Sequence, residues 1–352
     1  MNSFMPKRIT QTASNYLLKS NSLIMKNTLS RRNFLAITPL ASMGLLFPIA
    51  SNAQTWLAYK PNSKFGGVQI GVTTYSYRSM PHDIDQLIKF CVDSNISAIE
   101  LKGDPTEDYV GKPQRPASLP PLGSKTPPTA EEKAQMAAYG KSVREWRETV
   151  SMDKYVEIRK KFKKAGISIY AYKPNIFEVN NTDGEIEYGM KAAKALGATS
   201  VTLEMPKKEG QTKRLGDLAA KHKIYVGYHA HLQATDTLWD VALSESPYNT
   251  INLDCGHYIA VGGKNTKEAL LAFIEAKHDR ISSMHIKDRT NDAKLNLAWG
   301  KGDTPIKEIL LLMKSKKYTF PATIELEHTV PKDSDAVKEV AKCVAFAKAI
   351  LT

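Results

Sequence analysis

The sequence predicts an α/β protein in which eight parallel strands, separated by helices, close into a (β/α)8 barrel. Short apolar segments typical of buried strands alternate with longer segments whose apolar residues recur at helical spacing. The 352-residue chain can accommodate such a domain, which usually takes about 250 residues. A doubly wound open sheet is the less favoured alternative, because Thr-Tyr-Ser-Tyr at 74–77 lacks the glycines of a phosphate-binding loop.

The predicted strands are short and mainly apolar, and a helical segment lies between each pair. Strands of a parallel sheet are mainly apolar because helices cover the sheet and bury it. The strands are predicted at 68–74, 97–101, 167–172, 200–204, 224–229, 250–253, 281–286 and 322–326. The helices are predicted at 84–92, 153–165, 186–196, 214–222, 237–244, 266–277, 305–315 and 335–350. Eight such pairs are the number that a barrel requires.

One insertion interrupts this alternation, from about residue 103 to residue 150. Its first part is rich in proline and is predicted to be a loop, whereas residues 130–148 are predicted to form a charged helix. The insertion follows the second strand, so it belongs to the carboxyl face of the barrel, where loops that cover substrates lie. We expect it either to cover the substrate or to serve as decoration or as a contact in a homo-oligomer.

Residues 1–53 are predicted to be an export leader that precedes the fold. They contain six Lys or Arg residues and no Asp or Glu, which accounts for about half of the formal net charge of +13. Ser-Arg-Arg-Asn-Phe-Leu at 30–35 resembles the twin-arginine export motif, and an apolar run at 34–50 and small residues at 51–53 follow it. The twin-arginine export machinery is therefore an expected partner, and the periplasm is the expected location.

We expect the leader to be cleaved before Gln54, and Met25 is an alternative start. An uncleaved membrane anchor that leaves the protein facing the periplasm is the other interpretation; otherwise no membrane contact is expected. Residues 54–66 are predicted to be a polar linker and residues 67–352 the barrel. There, basic and acidic residues are interspersed, as on an ordinary solvated surface, so nucleic acid is not an expected partner. The three cysteines are too few and too widely spaced for a disulfide framework and are predicted to be buried free thiols.

Ionisable residues stand at the carboxyl ends of five successive predicted strands, where the active sites of barrels lie. A buried charge is costly unless it is paired, so one shared divalent ion would account for them together. The predicted ligands come from the fourth, sixth, seventh and eighth strands: Glu204, Asp254, His285 and Glu325. Three carboxylates and one imidazole favour Mn²⁺ or Mg²⁺, with Co²⁺ or Zn²⁺ as alternatives. Glu327 is the alternative to Glu325, because strand alternation places both on one face.

Several strand ends also match the motifs of a known family. They are Gly-Tyr-His-Ala-His at 227–231, Leu-Asp-x-x-His at 253–257, His-Ile-Lys-Asp at 285–288, Gly-Lys-Gly at 300–302 and Ile-Glu-Leu-Glu at 324–327. In their order and spacing the chain resembles the sugar phosphate isomerase/epimerase family, whose fold is a xylose isomerase-like TIM barrel. The resemblance extends from about Val68 to the end of the chain, apart from the insertion. Ala230 stands where the family often has Asn, which suggests an altered substrate end of the pocket.

The resemblance implies that Glu204, Asp254, His285 and Glu325 bind a divalent metal ion. It also implies that Glu204 and Glu325 form the catalytic acid/base pair that moves protons on the two faces of a sugar. The residues expected to contact the substrate are the other polar side chains at these strand ends: His229, His231, His257, Lys287 and Glu100.

The function predicted is a metal-dependent isomerase or epimerase that acts on a keto-sugar through an enediolate. An exported enzyme would not meet cytoplasmic sugar phosphates, so a free or oxidised sugar or a glycoside is the expected substrate. The main alternative is a lyase or dehydratase, in which the same proton abstraction is followed by β-elimination from an inosose or a 3-keto-glycoside. A non-catalytic carbohydrate-binding barrel and a relative of the apurinic-site endonucleases are less favoured.

Overall fold

The computed structural model describes residues 60–81, 83–121 and 123–352 of the chain. The predicted leader, its cleavage site and the membrane-anchor alternative lie outside these residues, as does the first part of the predicted linker. Within the described part of the chain, no helix combines the length and the apolar character needed to cross a bilayer.

Eight parallel strands close into a barrel, which confirms the predicted fold class. The eighth strand pairs with both the seventh and the first, and the first also pairs with the second, so that the ring has no open edge. The strands are β1 (Val68–Thr73), β2 (Ala98–Lys102), β3 (Ser168–Lys173), β4 (Ser200–Glu204), β5 (Tyr225–His229), β6 (Asn249–Asp254), β7 (Ile281–Ile286) and β8 (Ala322–Ile324). Their carboxyl ends therefore meet at one mouth of the barrel.

Helices surround the barrel and connect its strands. They are α1 (Ile84–Asp93), α2 (Gly103–Val110), α3 (Ala130–Thr149), α4 (Asp153–Lys164), α5 (Asp183–Leu196), α6 (Gln211–His222), α7 (Asp240–Glu245), α8 (Cys255–Ala260), α9 (Lys267–Lys277), α10 (Ile306–Lys316) and α11 (Ala336–Leu351). Short 3-10 helices occupy Thr74–Tyr77 and His278–Arg280. Two-residue strands at Asp288–Arg289 and Asn296–Leu297 pair with each other outside the barrel.

Local sequence signals fix where several helices begin and end. The Asp83 side chain accepts the backbone N–H of Gln86 and the Gln86 side chain accepts that of Asp83, a reciprocal cap at the start of α1. Thr182 and Glu185 form the same cap on α5. Gly197 ends α5 with φ 82°, a conformation that favours glycine. The apolar faces of the helices pack against the barrel and join one core with it.

The structure corrects three local predictions. Residues 103–110, predicted as part of a loop, form α2. This helix tolerates Pro105 because the residue lies in the first turn, where a backbone N–H has no intrahelical acceptor. The predicted linker contains a strand, Lys64–Phe65, which pairs antiparallel with β1. The eighth strand ends at Ile324, two residues earlier than predicted, so that Glu325 and Glu327 follow the strand.

The insertion lies on the outside of the barrel, where α3 packs against α5. Arg147 of α3 donates to Glu107 of α2, with Nε 3.0 Å from Oε1 and Nη2 3.2 Å from Oε2. Its Nη1 lies 3.2 Å from Oε1 of Glu185 on α5. We call these three residues the insertion cluster. They are largely buried, and they tie the insertion to the helical layer of the barrel.

Candidate active site

Four ionisable side chains meet inside the carboxyl mouth of the barrel. His229 ends β5, Asp254 ends β6, His285 lies one residue before the end of β7, and Glu325 follows β8 directly. All four are buried, and one potential ligand atom from each lies within 4.8 Å of the others. We call them the four-residue cluster. Three of the four were predicted as metal ligands, whereas His229 was assigned to the substrate.

The hydrogen bonds of His229 orient its ring towards the cluster. Its Nδ1 lies 2.8 Å from Oδ1 of Asn252, whose Nδ2 donates to the hydroxyl of Ser283 at 2.7 Å. Because the Asn252 oxygen can only accept, Nδ1 carries the proton and Nε2 is left with a free electron pair. This Nε2 lies 3.7 Å from Oδ2 of Asp254. Burial lowers the pKa of His229 well below its ordinary value, so that the ring stays neutral. A neutral, oriented imidazole is the form that binds a metal ion.

Asp254 has one oxygen that serves the fold and one that serves the cluster. Its Oδ1 accepts the backbone N–H of His257 at 2.7 Å and caps the start of α8. Its Oδ2 is buried and accepts no hydrogen bond from the residues that the structure describes, although an ion-pair partner, Lys287 Nζ, lies 3.0 Å away. Burial raises the pKa of Asp254 to about 6. A buried carboxylate oxygen without a hydrogen bond, beside imidazole and carboxylate donors, fits a metal-ion ligand.

His285 lies between two carboxylates. Its Nδ1 is 3.1 Å from Oε2 of Glu325 and its Nε2 is 3.2 Å from Oε2 of Glu100. Burial lowers the pKa of His285, but the two negative charges outweigh it and raise the pKa to about 10. The other oxygen of Glu100 has no hydrogen-bond partner among the described residues. Glu100 is fully buried next to His285, and its predicted contact with the substrate stays a prediction.

Lys287 stands in the middle of the acidic residues. Its ammonium lies 3.0 Å from Oδ2 of Asp254 and 2.8 Å from the Oε2 atoms of Glu325 and Glu327. Only 3% of its side chain is exposed. Burial lowers the pKa of Lys287, but these carboxylates raise it well above the ordinary value, so that the ammonium is fully charged. Conversely, His285 and Lys287 hold the pKa of Glu325 well below its usual range, against the effect of burial.

His257 is held among basic groups. Its Nε2 is 2.9 Å from Lys287 Nζ and its Nδ1 is 2.6 Å from Nη1 of Arg289. Burial together with these charges lowers the pKa of His257 to about 2, which keeps the ring neutral. Arg289 was not predicted from the sequence. Its position next to the His-Ile-Lys-Asp motif is the one signal that could have indicated it.

Glu204 lies at the rim of the mouth, outside the four-residue cluster. About half of its side chain is exposed, and it pairs with Lys173 at 3.1 Å and with His231 at 3.3 Å. The ring of His231 lies 4.5 Å from that of His257, which connects the rim to the buried groups. The roles predicted for Glu204 as a metal ligand and for His231 as a substrate contact stay predictions. Lys173 was not singled out from the sequence, where it is one of many lysines at a helical or strand end.

A cavity of about 270 Å³ opens over these residues. Both Glu204 and Glu325 line it, together with Glu327 and His231. The loop after β3, which includes Ile176 and Phe177, forms one wall. No described residue from 103 to 150 is part of this lining. A cavity of this size can hold a small molecule.

Asp288 shows why the His-Ile-Lys-Asp motif ends in an acid. Its Oδ2 accepts the backbone N–H groups of Gly300, Lys301 and Gly302 at 2.8–3.0 Å, and its Oδ1 accepts that of Thr304 at 3.2 Å. A Cβ at Gly302 would lie 2.4 Å from Oδ1, so glycine is required for this approach. The motif therefore combines cluster residues with a side chain that shapes the loop before α10.

Comparison with known proteins identifies the family. The sequence model described as the xylose isomerase-like TIM barrel matches residues 134–346, more than half of the chain. The chain belongs to this family. None of the curated proteins compared with the chain matches it.

Solved structures with the same fold include proteins with three different descriptions. A sugar phosphate isomerase/epimerase from Parabacteroides distasonis is 16% identical, with a TM-score of 0.53 over 81% of this chain and 98% of its own. The probable 3-DHS dehydratase AsbF from Bacillus anthracis is 14% identical, with a TM-score of 0.55 over 79% of this chain and 98% of its own. The IOLI protein with a bound zinc atom is 14% identical, with a TM-score of 0.53 over 81% of this chain and 99% of its own. At these identities the likeness concerns the fold.

Proposed function

We propose that the protein is a divalent-metal-dependent isomerase or epimerase that acts on a keto-sugar by proton abstraction next to the carbonyl group. The observation that carries the proposal is the convergence of His229, Asp254, His285 and Glu325 beneath a cavity at the carboxyl mouth. Membership of the xylose isomerase-like family and the isomerase/epimerase and dehydratase descriptions of its structural neighbours support the reaction class.

The donor set suits a divalent ion. The two carboxylates of the cluster suit Mn²⁺ and its two imidazoles suit Zn²⁺. Mn²⁺ is the first ion to test, followed by Zn²⁺, Co²⁺ and Mg²⁺. When bound, such an ion would stabilise negative charge on the substrate oxygens as a neighbouring C–H proton leaves. The protein supplies the ligands: His229 is already neutral and oriented, whereas His285, held cationic between two carboxylates, would release a proton when the ion binds.

The proton carriers of the proposal are Glu325 and Glu204. Glu325 is ionised at neutral pH because its pKa is held well below the usual range, so that it can accept a proton. Glu204 lines the same cavity from the rim, paired with Lys173 and His231. Two carboxylates that reach one cavity from different strands could remove a proton on one face of a sugar and return it on the other.

Incubation of the metal-loaded protein with a panel of ketoses and keto-glycosides in D₂O tests the proposal. Solvent deuterium at the carbon next to the carbonyl, with no loss of a leaving group, is the expected result by NMR. An enone absorbance in the ultraviolet would instead identify the lyase alternative. Failure to bind any of the four ions, measured by elemental analysis after metal-replete expression, would refute the metal-dependent mechanism.

Export through the twin-arginine pathway is also part of the proposal, and the motif at 30–35 supports it. The expected substrate is therefore an unphosphorylated sugar. Replacing both Arg31 and Arg32 by Lys should retain the protein in the cytoplasm, which cell fractionation measures. Unchanged export of the double variant would refute this route.

A further inference from the structure

We infer that Lys287 is an internal cation that competes with the divalent ion for Asp254 and Glu325, so that the metal ion binds in exchange for the ammonium. The inference rests on the proposed metal dependence. It adds a role for a residue that the sequence assigned only to the substrate. The contacts of Lys287, the fit of its side chain and the position of Glu327 carry it.

The contacts show that Lys287 uses the same oxygens that a metal ion would need. Of the two Asp254 oxygens, Oδ1 is committed to capping α8, which leaves Oδ2, 3.0 Å from Nζ of Lys287. The Oε2 atom of Glu325 lies 2.8 Å from the same ammonium. A divalent ion binds carboxylate oxygens at about 2.0–2.2 Å. Two cations on one pair of oxygens would repel strongly in this buried site, so that the oxygens serve one of them at a time.

The fold is shaped to hold the Lys287 side chain at this point. A Cβ at Gly256 would lie 2.4 Å from Cγ of Lys287, so that the absence of a side chain at Gly256 lets the lysine pass into the cluster. Gly256 belongs to the turn between Asp254 and His257, which therefore supplies both a ligand and the space for the competing cation. Only 3% of the Lys287 side chain is exposed, so the ammonium is part of the buried site and not a surface group.

Glu327 can stay paired with the Lys287 ammonium after the ammonium leaves Asp254 and Glu325. Its Oε2 is already 2.8 Å from Nζ, it lies outside the four-residue cluster, and its side chain is 22% exposed at the cavity wall. A lysine has four flexible methylene groups, so a small rotation can break the contacts with Asp254 and Glu325 and keep the one with Glu327. The exchange then leaves no buried ammonium without a partner.

Isothermal titration calorimetry with Mn²⁺ and Zn²⁺ on the chelator-treated full chain tests the inference. The Lys287→Met variant keeps the length of the side chain and removes the charge, so we expect it to bind both ions at least about tenfold more tightly than wild type. Without metal, the variant should melt at a lower temperature than wild type, and metal loading should raise its melting temperature by more than it raises that of wild type. The Lys112→Met variant is the matched control, because Lys112 pairs with Asp108 at 3.1 Å outside the cavity, and it should bind with unchanged affinity.

A second variant tests the exchange from the opposite side. Glu327→Gln removes the carboxylate that receives the ammonium, so that Lys287 should hold Asp254 and Glu325 more firmly and both ions should bind several-fold more weakly. Unchanged or weaker affinity in Lys287→Met would overturn the inference. If that variant does not fold, unchanged or tighter affinity in Glu327→Gln overturns it instead.

These outcomes differ from those of the proposed function. Deuterium incorporation by wild type with no gain of affinity in Lys287→Met would overturn the exchange and leave the isomerase. A gain of affinity with no incorporation from any sugar would support the exchange and remove the support for isomerisation. Absence of metal binding in wild type and in both variants would overturn the exchange together with the metal dependence, whatever the incorporation result.

Discussion

The insertion cluster and the four-residue cluster both bury carboxylates beside basic residues, but their atoms are paired very differently. In the insertion cluster, the Arg147 guanidinium forms a two-point contact with Glu107 and a third bond to Glu185. The hydroxyl of Tyr188 adds a bond to Glu107 at 3.1 Å. Both acids are therefore satisfied by rigid donors that are part of the fold.

The four-residue cluster leaves bonding capacity unused. Within the cluster, Oδ2 of Asp254 accepts no hydrogen bond among the described residues and has only the ion pair with Lys287; next to the cluster, Oε1 of Glu100 also accepts none. The nearby cation is a flexible lysine rather than an arginine fork, and it is shared by three carboxylates. Buried polar atoms without partners are costly, so a protein that keeps them at one place has a use for them there. The comparison separates a cluster whose polar atoms are paired within the fold from one that, under the proposal, binds a ligand.

Glu325→Gln should give the largest effect and test the functional side of the comparison. The isosteric amide cannot accept a proton, so deuterium incorporation into a responsive sugar should fall by about a thousandfold. The shape is kept, so the variant should fold, but its melting temperature should fall because His285 and Lys287 lose a paired carboxylate. Exchange rates by NMR and thermal unfolding by circular dichroism measure the two quantities. Near-normal turnover would show that Glu325 does not carry the proton.

Arg147→Met should test the structural side. Glu107 and Glu185 would be left buried without their shared partner, at a cost of about 3 kcal/mol in the free energy of unfolding. Urea denaturation measures this loss, and deuterium incorporation per folded molecule should match wild type because the insertion cluster lies outside the cavity. If turnover fell in parallel with stability, the two clusters would not be independent.

Asp254→Ala should affect both ligand binding and stability, with a smaller loss of stability than Arg147→Met. The variant should lose divalent-metal binding, measured by elemental analysis, because one of the four clustered groups is gone. It should also lose about 1 kcal/mol of stability, since the cap of α8 is removed. Asp254→Asn is the control, because the amide oxygen can still cap the helix while the charge is lost. Retention of stoichiometric metal by the alanine variant would show that Asp254 is not a ligand.

The pH dependence of the insertion cluster should be the smallest effect. Burial raises the pKa of Glu185, but its bonds to the backbone of Thr182 and to Arg147 outweigh it and lower the pKa below the ordinary value. A group whose pKa is lower in the folded state stabilises it above the unfolded pKa of about 4.3, and this contribution is lost as the pH falls below that value. Glu185→Gln should therefore reduce the difference in unfolding free energy between pH 7 and pH 3. An unchanged difference would show that Glu185 contributes nothing to acid sensitivity.

The sequence was informative wherever function depends on position along a strand. Carboxyl ends of parallel strands must meet, so a pattern of acids and histidines at those ends was enough to bring Asp254, His285 and Glu325 together. The sequence analysis named Glu204 as the fourth ligand, and that role stays a prediction. His229 and Glu204 end adjacent strands, and only side-chain direction, which the sequence does not give, makes one buried and places the other at the rim.

Contacts between distant segments were beyond the reach of the sequence. Arg147 and Glu107 lie 40 residues apart on two helices of one insertion, and their composition resembles that of any charged surface helix. Likewise, the His-Ile-Lys-Asp motif indicated Lys287 as a substrate contact, but nothing in the sequence indicated that its ammonium would lie among three carboxylates. The missed helix α2 has a more local reason, since a proline in the first turn of a helix has the same appearance as a proline in a loop.

The two faces of β7 and of the residues that follow it make contacts with different parts of the protein, and this has an evolutionary consequence. His285 and Lys287 contact the acidic residues of the barrel interior, whereas Asp288 gathers the backbone of the loop before α10. Substitutions on the inner face can therefore alter which ion or sugar is handled without loosening that loop. Selection can explore new chemistry at alternate positions of one short segment while the framework is inherited unchanged.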